Sequence, residues 1–161
     1  MDPRSAEIEE GLLLDVQGLF GGWDVWVGAQ GDAYSRSVTP PDRGQHGLQE
    51  VRYKFALSAE ERAALFDLIR KNDFFNIIMR ERPGIPDEAR PAIWVKTASG
   101  SRLVSKWAGV ENEDFDAIWA FLLNLTPSGE KDTELYRGDF DWQWQPDGFT
   151  ERELLLKQIP Y

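Results

Sequence analysis

Apolar and polar residues alternate along much of the chain. Trp23, Val25 and Val27 are spaced by Asp24 and Trp26, and Val51, Tyr53, Phe55 and Leu57 follow strict period two with Arg52 and Lys54 facing the other way. That period puts each set on one side of an extended strand. Leu12, Leu14 and Val16 repeat it before Gly18, Gly21 and Gly22 interrupt the chain, and Ala33 to Val38 has the mixture of a partner strand. Ile93 and Val95 alternate with Trp94 and Lys96, Ala98 to Ser101 turn the chain, and Arg102 to Trp107 return it as a second hairpin.

Two stretches change to helical spacing. Ser58-Ala59-Glu60-Glu61 has the form of a capping box, and Ala64, Leu65, Leu68 and Ile69 then share one helix face. This helix is expected to end near Asn72, with Phe74 and Phe75 returning to the core. Phe115, Ile118, Trp119 and Leu122 mark a second buried stripe, closed by Pro127. Residues 39–47 (TPPDRGQHG) and 80–91 (RERPGIPDEARP) read as polar loops, the second with three prolines and six charges. From Ser128 the regularity fades into aromatics interleaved with Asp, Gly and Gln, and "TERELLLKQIPY" suits a last helical turn or strand.

The pattern predicts an α+β fold: a mainly antiparallel meander with two helices packed on one face. Residues 1–127 form its single domain, and residues 128–161 form an aromatic-rich C-terminal arm packed on it or extending from it.

Composition narrows the function classes. A formal charge of −10 repels a phosphate backbone, and no run of Lys and Arg offsets it, so nucleic acid is not an expected partner. The absence of cysteine removes disulfides, thiolate metal sites and a cysteine nucleophile. The acidic start lacks the features of a secretion signal and no apolar run is long enough to span a bilayer, so the expectation is a cytoplasmic protein without membrane contact. Seven Trp residues in 161 exceed what a small core hides whole, which points to an aromatic contact face.

Candidate chemistry is sparse. Gly28 to Gly31 lies between two strand patterns with no Lys behind it, so it reads as a bend and not as a phosphate loop. His46, the only histidine, sits between polar loop residues, and no serine has a nucleophile elbow around it. Glu111, Glu113, Asp114 and Asp116 lack calcium-loop spacing and suit a helix start. No catalytic residue, metal or cofactor is expected. Trp142 and Trp144, flanked by Asp141, Gln143 and Gln145, either cover the open side of the sheet or stack on a sugar or peptide, and period two puts both on one face.

"FGGWDVWVGAQG", "LSAEERAALFDLIRKNDFF" and "AIWVKTASGSRLVSKW" together resemble the layout of emfourin-like small bacterial domains, over roughly residues 10–126. The resemblance implies a Gly-Gly strand start, a strand ending in Leu-Ser, a Glu-rich helix closing in a double Phe, a hairpin and a final helix. The founding member of that family is a protein inhibitor of a metallopeptidase. The loop at 80–91 and the aromatic tail depart from the pattern, and no inhibitory residue carries across.

The function expected from these signals is non-catalytic protein binding, as an inhibitor, an immunity-type partner or an accessory subunit, with a peptidase or toxin as the other protein. The contact residues expected are Trp26, Ile85, Pro86, Trp94, Trp142 and Trp144, because Trp anchors dominate interfaces. The alternative is a small-ligand or carbohydrate-binding module using the C-terminal aromatics.

Overall fold

The alternating segments form strands, and the two helical stretches form helices. A computed structural model describes residues 8–15, 22–44, 46–125, 133–151, 154–155 and 157. In chain order these build β1 (Ile8–Asp15), β2 (Gly22–Gly28), β3 (Asp32–Thr39), β4 (Gln49–Ala56), α1 (Ala59–Lys71), β5 (Pro91–Thr97), β6 (Gly100–Ser105), α2 (Glu113–Leu123) and β7 (Thr133–Asp139). A 3-10 turn, Phe74–Asn76, follows α1. The expected turn at Gly18 and Gly21, the closure at Pro127 and most of the final "TERELLLKQIPY" stretch lie outside the described residues.

The strands form one sheet in the order β6-β5-β1-β2-β3-β4-β7, with every neighbour antiparallel. β1 to β4 form the expected meander, and the β5–β6 hairpin docks on the far side of β1, with Leu12 opposite both Trp26 and Trp94. β7 comes from the C-terminal arm. It pairs with β4 through a register shift between Arg52 and Tyr53, so the arm begins as part of the sheet.

Sequence parity separates two packed layers. Val25 and Val27 of β2, Ala33 of β3, Phe55 of β4, Ile93 and Val95 of β5 and Val104 of β6 belong to one hydrophobic cluster. The same cluster contains Leu65, Phe66 and Ile69 of α1 and Phe115, Ile118 and Leu122 of α2. Burial of one face of each amphipathic element is the main force holding the layer, at about 1.5–3 kcal/mol for each large side chain fully buried. The even-numbered positions Trp26, Ala92 and Trp94 form a second cluster with Leu155, against which Tyr34, Leu103, Trp144 and Phe149 pack.

Local signals set the ends of these elements. The Ser58 hydroxyl accepts from the Glu61 N–H at 3.1 Å, and the Glu61 carboxylate accepts from the Ser58 N–H at 2.9 Å. This satisfies two of the donors a helix start leaves open and contributes about 1 kcal/mol. Asn112 caps α2 by accepting from the Phe115 N–H at 2.9 Å, while Glu113, Asp114 and Asp116 occupy its first turn. Gly28 to Gly31 closes the β2–β3 hairpin: the Gly31 N–H donates to the Gly28 carbonyl at 3.1 Å, with Gly31 at φ +87°. That left-handed conformation is easy only for glycine. No helix of the described residues is long and apolar enough to cross a membrane.

Candidate functional site

The proline-rich segment between the 3-10 turn and β5 is an ordered loop built from its own charges. Ile85, Pro86, Asp87 and Glu88 form a tight turn, with the Glu88 N–H donating to the Ile85 carbonyl at 3.1 Å. Pro86 presets the second position, and Asp87 takes the positive φ of 63° that the third requires, which is the pattern of a type II turn. Pro86 and Asp87 therefore stand at the apex with Ile85 next to them, and Ile85 is 63% exposed.

Below the apex a two-point ion pair closes the loop. The Arg82 guanidinium donates to both Glu88 oxygens, at 2.8 and 2.5 Å, and to the Pro83 carbonyl at 2.9 Å. Glu88 also accepts from the backbone N–H groups of Gly109 (2.8 Å) and Ile85 (3.3 Å). The Arg82 hydrogen bond, helped by those two backbone donors, holds the Glu88 carboxyl down at about 2, against an ordinary value of 4.5. Glu88 thus binds a proton less readily in the folded loop than in an unfolded chain. Its stabilising effect is complete above about pH 4.5 and declines as the pH falls toward 2. Amide exchange at Ile85, Glu88 and Gly109 is expected to accelerate, relative to the core strands, as the pH is lowered through that window. An unchanged ratio of loop to core protection would contradict the clamp.

The loop is seated on residues 105–109. The Ala108 N–H donates to the Ala89 carbonyl at 3.0 Å, and the Lys106 N–H to the Pro91 carbonyl at 3.1 Å. The Arg90 guanidinium lies over the Trp107 ring, 4.5 Å from its centroid. Gly84 lets the chain pass flat against the same indole, because a Cβ there would come within 2.5 Å of the ring. Between loop and ring lies a cleft of about 290 Å³, lined in part by Met79, Arg80, Arg82, Gly84, Arg90 and Trp107. Its volume is at the lower end of small-molecule sites. Upstream, Arg102 donates to the carbonyls of Phe74 (3.0 Å) and Ile77 (2.6 Å), fixing the chain so that Ile78 is 88% exposed.

The aromatics expected at a contact face are distributed differently. Trp26 and Trp94 are 1% and 6% exposed, which corrects the exposure expected of both. Each lies on the second face of the sheet, and the C-terminal arm packs over that face, so alternation alone misjudged which side meets water. Trp142 is exposed, whereas Trp144 is half-buried with its ring edge-on to Trp26 at 5.5 Å. The two do not share a face, because residues 140–150 form turns and not a strand. The two-ring platform expected there is absent among the described residues.

Sequence reading also missed a buried charge network beneath the arm. Arg36, fully buried on β3, donates from Nε (2.9 Å) and Nη2 (2.7 Å) to the Asp24 carboxylate. Its third nitrogen donates to the Asp141 carbonyl at 2.9 Å and lies 3.8 Å from Glu50. Glu50 accepts from the Asp141 N–H at 2.7 Å and from Arg52 Nε, while Arg52 lies over the rings of Tyr136 and Trp144. Two cations meet two carboxylates, and both carboxylates are buried. The network joins the arm to the sheet.

His46 is exposed in its loop. Among the described residues no three of His, Asp and Glu gather closely enough to hold a metal ion. Compared with known proteins, the chain matches no family model, no curated protein and no solved structure.

Proposed function

We propose that the chain is a non-catalytic protein-binding domain whose contact element is the proline loop, with Ile85 and Pro86 entering an apolar recess of the partner. The observation that carries this reading is an exposed aliphatic side chain opening the turn of a loop already fastened by Arg82, Glu88 and Gly109. A preorganised loop loses little conformational entropy on binding, so apolar contact at its tip goes into affinity. Exposed Ile78 supplies a second aliphatic contact. This is the mode of a loop-type inhibitor or an immunity-type partner, with a peptidase or toxin as the natural class of target.

The full chain, immobilised and exposed at low salt to an extract of the cells that make it, is expected to recover a protein. Ile85→Asp should weaken that capture at least about tenfold, since a buried anchor at an interface centre is worth more than about 1.4 kcal/mol. The folded stability should not change, because the side chain already meets solvent. Equal recovery by Ile85→Asp, or no recovery by the unaltered chain, would refute the reading.

A further inference from the structure

We propose that the outer edge of β7 is a self-association surface, where a second copy of this chain pairs antiparallel through its own β7 and joins two seven-stranded sheets into one. The proline loop is seated beside β6, at the opposite end of the sheet, so this inference stands apart from the loop reading.

The two ends of the sheet are finished differently. At β6, Arg102 holds the carbonyls of Phe74 and Ile77, and Ser105 shares the cleft with residues 79–84, so chain runs alongside that edge. Beyond β7 no described strand pairs, and six of its seven residues are exposed. A free edge presents a row of backbone N–H and C=O groups that another strand can satisfy. Lysine, proline and covering chain are among the usual guards of such an edge. The β7 sequence, TELYRGD, has neither lysine nor proline. Its middle residues, Leu135 and Tyr136, are 45% and 36% exposed, which leaves apolar surface to be covered there.

Charge selects the occupant. The register shift sets Glu134 opposite Tyr53 and Arg137 opposite Val51, so both take the side of the sheet that Phe55 takes, and they form an ion pair at 2.6 Å. The two therefore flank the middle of the strand on one face with opposite signs. A two-fold axis normal to the sheet, passing between Leu135 and Tyr136, brings Glu134 of each copy opposite Arg137 of the other. Opposite charges directly across a strand pair stabilise it, and like charges there destabilise it. In-register parallel pairing would set Glu134 on Glu134 and Arg137 on Arg137, so the same residues also fix the direction. Leu135 and Tyr136 meet their counterparts around the axis. The edge is complementary to itself, and one dimer makes the favourable charge pair twice.

Sedimentation equilibrium of the full chain tests this. From micromolar to millimolar concentration, a monomer–dimer equilibrium is expected. Arg137→Glu and Glu134→Arg, changes at exposed positions, should each weaken the dimer at least tenfold by setting like charges across the axis, while circular dichroism stays that of the folded chain. Leu135→Glu, which places two carboxylates near the axis and leaves the ion pair intact, should weaken it by as much. Mixed in equal amounts, Arg137→Glu and Glu134→Arg chains should associate within about threefold of the unaltered affinity, because each charge again faces its opposite. The ion pair inside each chain is still broken in that mixture, so recovery reports contact between copies alone. Ile85→Asp, at the other end of the sheet, should leave the equilibrium unchanged. A chain still monomeric at millimolar concentration, a dimer indifferent to all three β7 changes, a dimer weakened by Ile85→Asp, or a mixture that associates no better than its components would each overturn the proposal.

Discussion

Arg36→Met is expected to destabilise the protein by about 3–5 kcal/mol, the effect of removing one member of a buried ion pair. The Asp24 carboxylate would lose both of its short bonds to Arg36, and Glu50 a cation 3.8 Å away, in a region with no solvent to replace them. The Asp141 carbonyl would lose its donor at the same time, so the arm should loosen first. Urea unfolding measures the total, and the near-ultraviolet signal of Trp144 and its neighbours reports the arm. Asp24→Asn combined with Arg36→Met should recover part of the loss, because position 24 then no longer carries a buried charge stripped of its two Arg36 bonds. A loss below about 1 kcal/mol, or a double variant no better than the single one, would show that the network does not bear on stability as described.

Trp26→Ala should cost a similar amount, about 3–5 kcal/mol, as for other large aromatic side chains deleted from a core. The ring is almost wholly enclosed, meets Trp144 edge-on and lies 5.6 Å from the Arg36 guanidinium. Its deletion leaves a cavity between sheet and arm that neither can easily fill. The comparison is Trp142→Ala on the same arm, where an exposed ring predicts a change within about 0.5 kcal/mol. The two variants separate a tryptophan that builds the protein from one that meets its surroundings. Similar unfolding midpoints for both would contradict the burial described for Trp26.

Much of the architecture was legible because it repeats. Val25 and Val27, Phe55 and Leu57, and Ile93 and Val95 each reported their strand and the side of it that enters the main hydrophobic cluster through period two. The capping box at Ser58 and Glu61 fixed the start of α1 to the residue. β7 was not legible, since five of its seven residues are polar or glycine and it lies at the sheet edge with mostly exposed side chains. The second face failed for a different reason. Asp24, Arg36 and Glu50 look like a solvated side under any alternation rule, and only the arm's return makes them interior. The candidate site was half legible. Three prolines marked an exposed loop, and Ile85 and Pro86 are exposed within its turn. The clamp between Arg82 and Glu88 needs a turn that sequence spacing alone does not announce, and the seat on Trp107 and Gly109 joins residues far apart in the chain.

The position of β1 has a kinetic consequence. It is the seam between the early meander and the later hairpin, for only through it do β2 and β5 become parts of one ribbon. This strand, ahead of the other described strands in the chain, waits with one edge open until Ile93 and Trp94 emerge and pair with it. Such distant pairing slows folding, because the intervening loop must close before any contact rewards it. During that wait the open edge is the point at which a nascent chain is most liable to pair with a neighbour instead of itself.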